Sequence, residues 1–207
     1  MKTPSPLQLV LIAAGTLGAG PLLAQSAQDL SGGYLGETYT GVDLGYTHHV
    51  QGPPDVLHRY GFISSRAMPE EFRDVDGAFK YNYTRGSAPG LDFSQHDVAM
   101  ALTGYRRLDR VTPYLEGDAG WSWAKTDGTH RNSFLYLVGA GAEIAPVPRA
   151  SITPFFNYGE TARFHSRVWH YGAKAGYRFE RSWSASFTLQ FDDPHNVEFA
   201  AGVQRRF

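Results

Sequence analysis

The feature that most constrains this chain is the period of two in its last eleven residues, VEFAAGVQRRF, 197–207. Val197, Phe199, Ala201, Val203 and Phe207 fall on one side of an extended strand, and Glu198, Ala200, Gly202, Gln204 and Arg206 on the other. One face is apolar and the other polar, so the two faces meet different surroundings. At ~3.3 Å per residue and ~45° of tilt, eleven residues rise about 25 Å, the height of the apolar band of a transmembrane barrel. The edge of a soluble antiparallel sheet alternates in the same way, so the rest of the chain has to decide between the two. Arg205 falls on the apolar face close to the end, where its side chain must reach the interface.

The alternation recurs along the chain, interrupted by turn-forming clusters. In residues 37–48, Thr38, Thr40, Val42, Leu44 and Tyr46 oppose Gly41, Asp43, Gly45 and Thr47. Comparable segments follow at 75–83, 95–106, 111–124, 133–145, 151–160, 167–179 and 183–191, with a weaker one at 56–65 that alternates through Val56, Tyr60 and Phe62. The spacing predicts an all-β fold, a closed antiparallel up-and-down transmembrane β-barrel of ten strands, or of eight if the weak segment pairs elsewhere. Closure is required because each unpaired backbone group in hydrocarbon costs several kcal/mol, so the first strand should pair with 197–207. Turns at 66–74, 107–110, 146–150 and 180–182 then alternate with loops at 48–55, 84–94, 125–132, 161–166 and 192–196. Both termini fall on one side, the periplasmic side of bacterial barrels with an even strand count.

Only 42% of the residues are hydrophobic, a share usual for a soluble protein. A barrel reconciles this with a membrane, since only alternate residues of each strand face lipid. The chain begins with Met1 and Lys2 and an apolar run over 7–24 that contains Gly15, Gly18, Gly20 and Pro21, the pattern of a secretory signal peptide. Cleavage after Ala24 is expected, with a cut after Ala27 as the alternative. This gives a signal peptide at 1–24, an N-terminal segment at 25–36 and a barrel at 37–207. No run after residue 24 approaches the ~20 apolar residues of a membrane helix. There is no cysteine, which excludes disulfides and thiolate metal sites. The net charge of −1 gives no reason to expect a nucleic-acid partner.

Aromatic residues gather at both ends of the segments. Tyr46, Tyr83, Trp121, Trp123, Phe134, Tyr158, Trp169 and Tyr171 lie beside the outer loops, and Tyr105, Phe179, Trp183 and Phe207 beside the turns. Tyr and Trp favour membrane interfaces because each pairs an apolar ring with a polar edge. The inward positions carry Asp43, Asp76, Asp97, Glu116, Asp118, Glu143 and Glu198 against Lys80, Lys174, Arg178 and Arg206, with many glycines and alanines between them. In a narrow lumen such charges must pair, and long side chains bridging to carboxylates would obstruct the bore.

With its phrases PYLEGDAGWSWA (113–124) and YGAKAGYRF (171–179), the mature chain resembles the bacterial outer-membrane β-barrel domain family, the broad group of OmpA- and OmpX-like small barrels. The terminal Phe207, with Phe199 and Val203 on its face, is similar to the C-terminal signal that the barrel assembly machinery reads. The resemblance implies the outer membrane as location and its lipid as surroundings. It also implies a structural or surface-interaction role without enzymatic activity, or alternatively a small diffusion pore. It fixes no ligand, because fold does not determine function. No peptidoglycan-binding domain is expected after the last strand.

Particular residues bear on an enzymatic role. Lipid A 3-O-deacylases place His and Ser two apart on one strand face, whereas His165 and Ser166 are adjacent and would point to opposite faces. An omptin-like protease would need His96 with Asp97, or Asp192, Asp193 and His195, as rim pairs; a polar rim collects such residues without catalysis. The eight histidines (48, 49, 58, 96, 130, 165, 170 and 195) all map near the outer strand ends but lack paired ligand spacing. No catalytic, cofactor or metal residue is therefore assigned, and no cofactor is expected.

Overall fold

A computed structural model describes residues 33–49, 56–161, 166–193 and 196–207. The expected signal peptide and both cleavage positions lie outside the described residues. Ten antiparallel strands form one closed barrel: β1 (Tyr39–His48), β2 (Val56–Ala67), β3 (Val75–Ala88), β4 (Leu91–Tyr105), β5 (Val111–Thr126), β6 (Thr129–Val147), β7 (Ala150–Thr161), β8 (Ser166–Arg178), β9 (Trp183–Asp192) and β10 (Val197–Arg206). Each strand pairs with its chain neighbours. β1 closes the ring against β10, from Tyr39 opposite Arg206 to His48 opposite Val197. The weak second segment is a full strand, paired along β1 and β3, which removes the eight-strand alternative. Its periodicity is blurred because Leu57 and Ile63 occupy inward positions where polar residues were expected.

Polarity is inverted relative to a soluble protein. Leu44, Met100, Leu102, Leu115, Val138, Ile152, Phe156 and Phe187 are exposed on the outer wall, while Asp76, Asp118, Glu143, Arg178, Gln204 and Arg206 are buried. An apolar exterior of this extent requires an apolar solvent. Tyr46, Trp121, Trp123, Phe134, Trp169 and Tyr171 ring its outer edge, and Tyr177, Phe179, Trp183 and Phe207 its inner edge. Arg205 lies at that inner edge with its guanidinium 5.3 Å from the Phe207 ring, which meets the requirement that it reach the interface. Tyr105 departs from the expected inner ring. It shares the inward register of Thr103, is 7% exposed, and donates its hydroxyl to the Arg73 carbonyl at 2.9 Å.

Two expected loops are mostly strand. The stretch 84–94 is a hairpin whose turn is Pro89 and Gly90, with Gly90 at φ 77°. The stretch 125–132 turns on Asp127 and Gly128, at φ 48° and 81°, the left-handed pair of a two-residue hairpin turn. Strand β6 consequently runs 19 residues, against 10 for β10, and the β3–β4 and β5–β6 hairpins stand above the outer aromatic ring. Past the membrane both faces of a strand meet water, so the backbone stays paired while the alternation of polarity disappears.

The in/out assignment predicts unequal effects for neighbouring residues of β9. Leu189→Arg places a charge against hydrocarbon and should cost ~2–4 kcal/mol near the midplane, whereas Gln190→Arg faces the lumen beside Glu198. Refolding yield into lipid vesicles, read as heat-modifiable mobility on a detergent gel, should fall for the first and stay near wild type for the second.

Candidate functional site: the barrel lumen

The lumen is built at two levels by inward residues of every strand. In its outer half two cations organise the carboxylates. Arg59 of β2 reaches Asp43 Oδ1 of β1 at 3.0 Å and Glu198 Oε1 of β10 at 2.7 Å. Lys80 of β3 reaches Glu116 Oε1 and Asp118 Oδ2 of β5 at 2.8 and 2.9 Å. Each cation therefore bridges to a strand two places away and lies along the wall. Glycine permits this at Gly61, where the Asp43 carboxylate occupies the space a Cβ would need. Arg59 was absent from the expected interior set, although the outward Tyr60 and Phe62 imply that it faces inward. Above these pairs a cavity of about 330 Å³ is lined by Arg59, Lys80, Asp97, Asp118, His170 and Glu198, among others.

The inner half holds a feature the period of two did not reveal. Residues 33–38 precede β1 and turn into the barrel, with Gly36 at φ 77°. Buried Tyr34 donates its backbone N–H to Glu143 Oε2 at 2.6 Å, and its hydroxyl lies 3.2 Å from Gln204 Oε1 and 3.1 Å from the Ala185 carbonyl. Burial pushes this phenol up to about 12, so the hydroxyl remains a neutral donor at physiological pH. Lys174 sets its ammonium 4.0 Å from the ring centroid, a cation–π contact. Gly36 N–H donates to Asp76 Oδ2 at 2.7 Å. Glu37, expected at the start of the first strand, instead binds Arg178 at 2.9 Å and Arg206 at 3.2 Å, and Arg206 also donates to the Gly33 carbonyl at 2.6 Å. The inward charges at this level are thus satisfied largely by the N-terminal segment.

The candidate catalytic and metal residues do not converge. His96 faces outward, 2.9 Å from the Tyr81 hydroxyl, whereas Asp97 faces the lumen and accepts from Gln95. His58 packs on Tyr46 at the outer wall, and His170 bonds Gln190 inside. Asp192 binds the Asn196 backbone and side chain. His165 and His195 lie outside the described residues. Among the described residues no three His, Asp or Glu side chains form a group able to hold a metal ion.

Replacing Glu37 by Gln leaves two buried guanidinium groups without their shared carboxylate. A loss of about 2 kcal/mol is expected from charge-assisted hydrogen bonds, measured as a lower temperature for the heat-induced gel shift; Glu180→Gln, on an exposed turn, should leave it unchanged.

No family model matches the chain, and no curated protein does. Solved structures do match. The NanC porin is 6% identical with a TM-score of 0.51, over 81% of this chain and 100% of that one. An outer-membrane channel of Pseudomonas putida F1 is 9% identical with a TM-score of 0.51, over 89% of this chain and 100% of that one. Neisserial surface protein A is 15% identical over 82% of this chain and 96% of that one, with a TM-score of 0.48. At such identities the likeness concerns the fold, and the two structures with a TM-score of 0.51, taken with the closed ring, apolar exterior and aromatic edges, lead to one conclusion: this chain has the fold of the small outer-membrane β-barrels and resides in the outer membrane.

Proposed function

We propose that the protein is a non-enzymatic outer-membrane barrel with a structural or surface-interaction role, its lumen open outward as a cup and obstructed at the periplasmic end. The observation that carries this reading is the seating of Tyr34, Gly36 and Glu37 across the inner bore, tied to Glu143, Asp76, and Arg178 with Arg206 respectively. A solute crossing the barrel would have to displace this segment together with its ion pairs. Residues 1–24 serve as the export signal in this reading, and the barrel assembly machinery meets the chain through β10 and Phe207.

The second reading, a small diffusion pore, is favoured by the outer cavity, where Asp97, Asp118 and Glu198 stand beside Arg59 and Lys80 and would prefer cations. Planar-bilayer conductance separates the two. Wild-type protein should give small openings or none, and the double variant Tyr34→Ala/Glu37→Ala should conduct measurably, with cations favoured. Stable wild-type openings of general-porin size would reject the obstructed barrel and put the pore first.

A further inference from the structure

The outer wall above the aromatic ring carries a second constellation, separate from the lumen. Strand register aligns side chains of the same outward face in successive rows across β3 to β6. Tyr81, Val98, Trp121 and Phe134 form an apolar row; the next, toward the hairpin tips, is Tyr83, His96, Trp123 and Asn132; the next is Arg85, Ser94, Lys125 and His130. Two residues along the strand therefore separate hydrocarbon-facing groups from ring and amide edges, and two more lead to cations. Between the rows lies a groove of about 660 Å³ lined by Ser94, His96, Trp123, Lys125, His130 and Asn132, among others. His96 is held by the Tyr81 hydroxyl at 2.9 Å and packs on the Tyr83 ring at 4.7 Å, which fixes one side of the groove.

Among the described residues neither Arg85 nor Lys125 forms an ion pair, and the nearby acids are at the tip, where Asp127 accepts from the Asp92 backbone. The neighbouring stretch of wall differs: on β7 and β8 Arg167 is paired with Glu160 at 3.4 Å. Unpaired cations immediately above a membrane interface are matched by anionic lipid headgroups, and Ser94, Asn132 and the exposed Trp123 ring suit the hydroxyls and apolar face of a sugar.

We propose that this groove is a binding site for the phosphorylated sugar headgroup of an outer-leaflet glycolipid, with Lys125 and His130 contacting phosphate, Arg85 flanking them, and Trp123 stacking on the sugar. The site faces the lipid side of the wall, so it is independent of whether the lumen conducts.

The test uses the full barrel refolded in neutral detergent and titrated with bisphosphorylated lipid A and with the same lipid after phosphate removal. Wild type should bind the phosphorylated form about tenfold more tightly. Lys125→Glu/His130→Glu should abolish that preference while retaining the heat-modifiable gel shift that reports a folded barrel, and Arg167→Glu on β8, outside the groove, should leave it intact. Equal affinities for the two lipids in wild type, equal losses from the Lys125/His130 and Arg167 variants, or saturation of the effect by inorganic phosphate alone would each overturn the proposal.

Discussion

Everything in this protein depends on the seam between β1 and β10. In water an unpaired strand edge exchanges its hydrogen bonds with solvent, but in hydrocarbon each orphaned N–H or C=O costs several kcal/mol, so an open ten-stranded sheet would carry two intolerable edges. The unbroken register from Tyr39 with Arg206 to His48 with Val197 removes both. Once the ring is closed, every strand has one face toward lipid and one toward a narrow interior, and the period of two in the sequence records that division.

This explains which parts of the fold were legible. Residues 197–207, 75–83 and 183–191 revealed themselves because hydrocarbon punishes a polar outward residue and a small lumen disfavours a large apolar inward one. Legibility failed where either pressure lapsed. At Thr84 to Ala88 and Thr129 to Asn132 the strands have left the membrane, both faces are wet, and polar residues read as loop although pairing continues to the two-residue turns. In β2, inward Leu57 and Ile63 obscured the alternation and concealed Arg59, the cation that joins Asp43 to Glu198.

The seating of the N-terminal segment was hidden for a different reason. Tyr34 and Glu37 lie in a six-residue non-periodic stretch, 33–38, and their partners are more than a hundred positions away, as with Tyr34 and Glu143 or Glu37 and Arg178. One signal was present. The period of two puts Arg178 and Arg206 inward at the inner ends of their strands, and buried guanidinium groups need carboxylate or carbonyl partners. The wall offers Asp76 and Glu143 at this level, yet both are taken by backbone N–H groups of the N-terminal segment. The sequence thus contained a demand for an acceptor without stating where it would come from.

The seam and the N-terminal segment are also coupled. Partners of residues 33–37 come from β3, β6, β8, β9 and β10, so the segment has no complete docking site until the ring has closed. Glu37 stands two residues before β1, the strand on one side of the seam, and binds Arg206, the last residue of β10 on the other. Docking therefore clamps the two strands whose separation would reopen the barrel. The ion pair works where strand ends fray most readily, because the terminal backbone hydrogen bonds there have pairing on one side only. A segment that narrows the lumen is for this reason also part of what keeps the barrel closed, and the same side chains serve both ends.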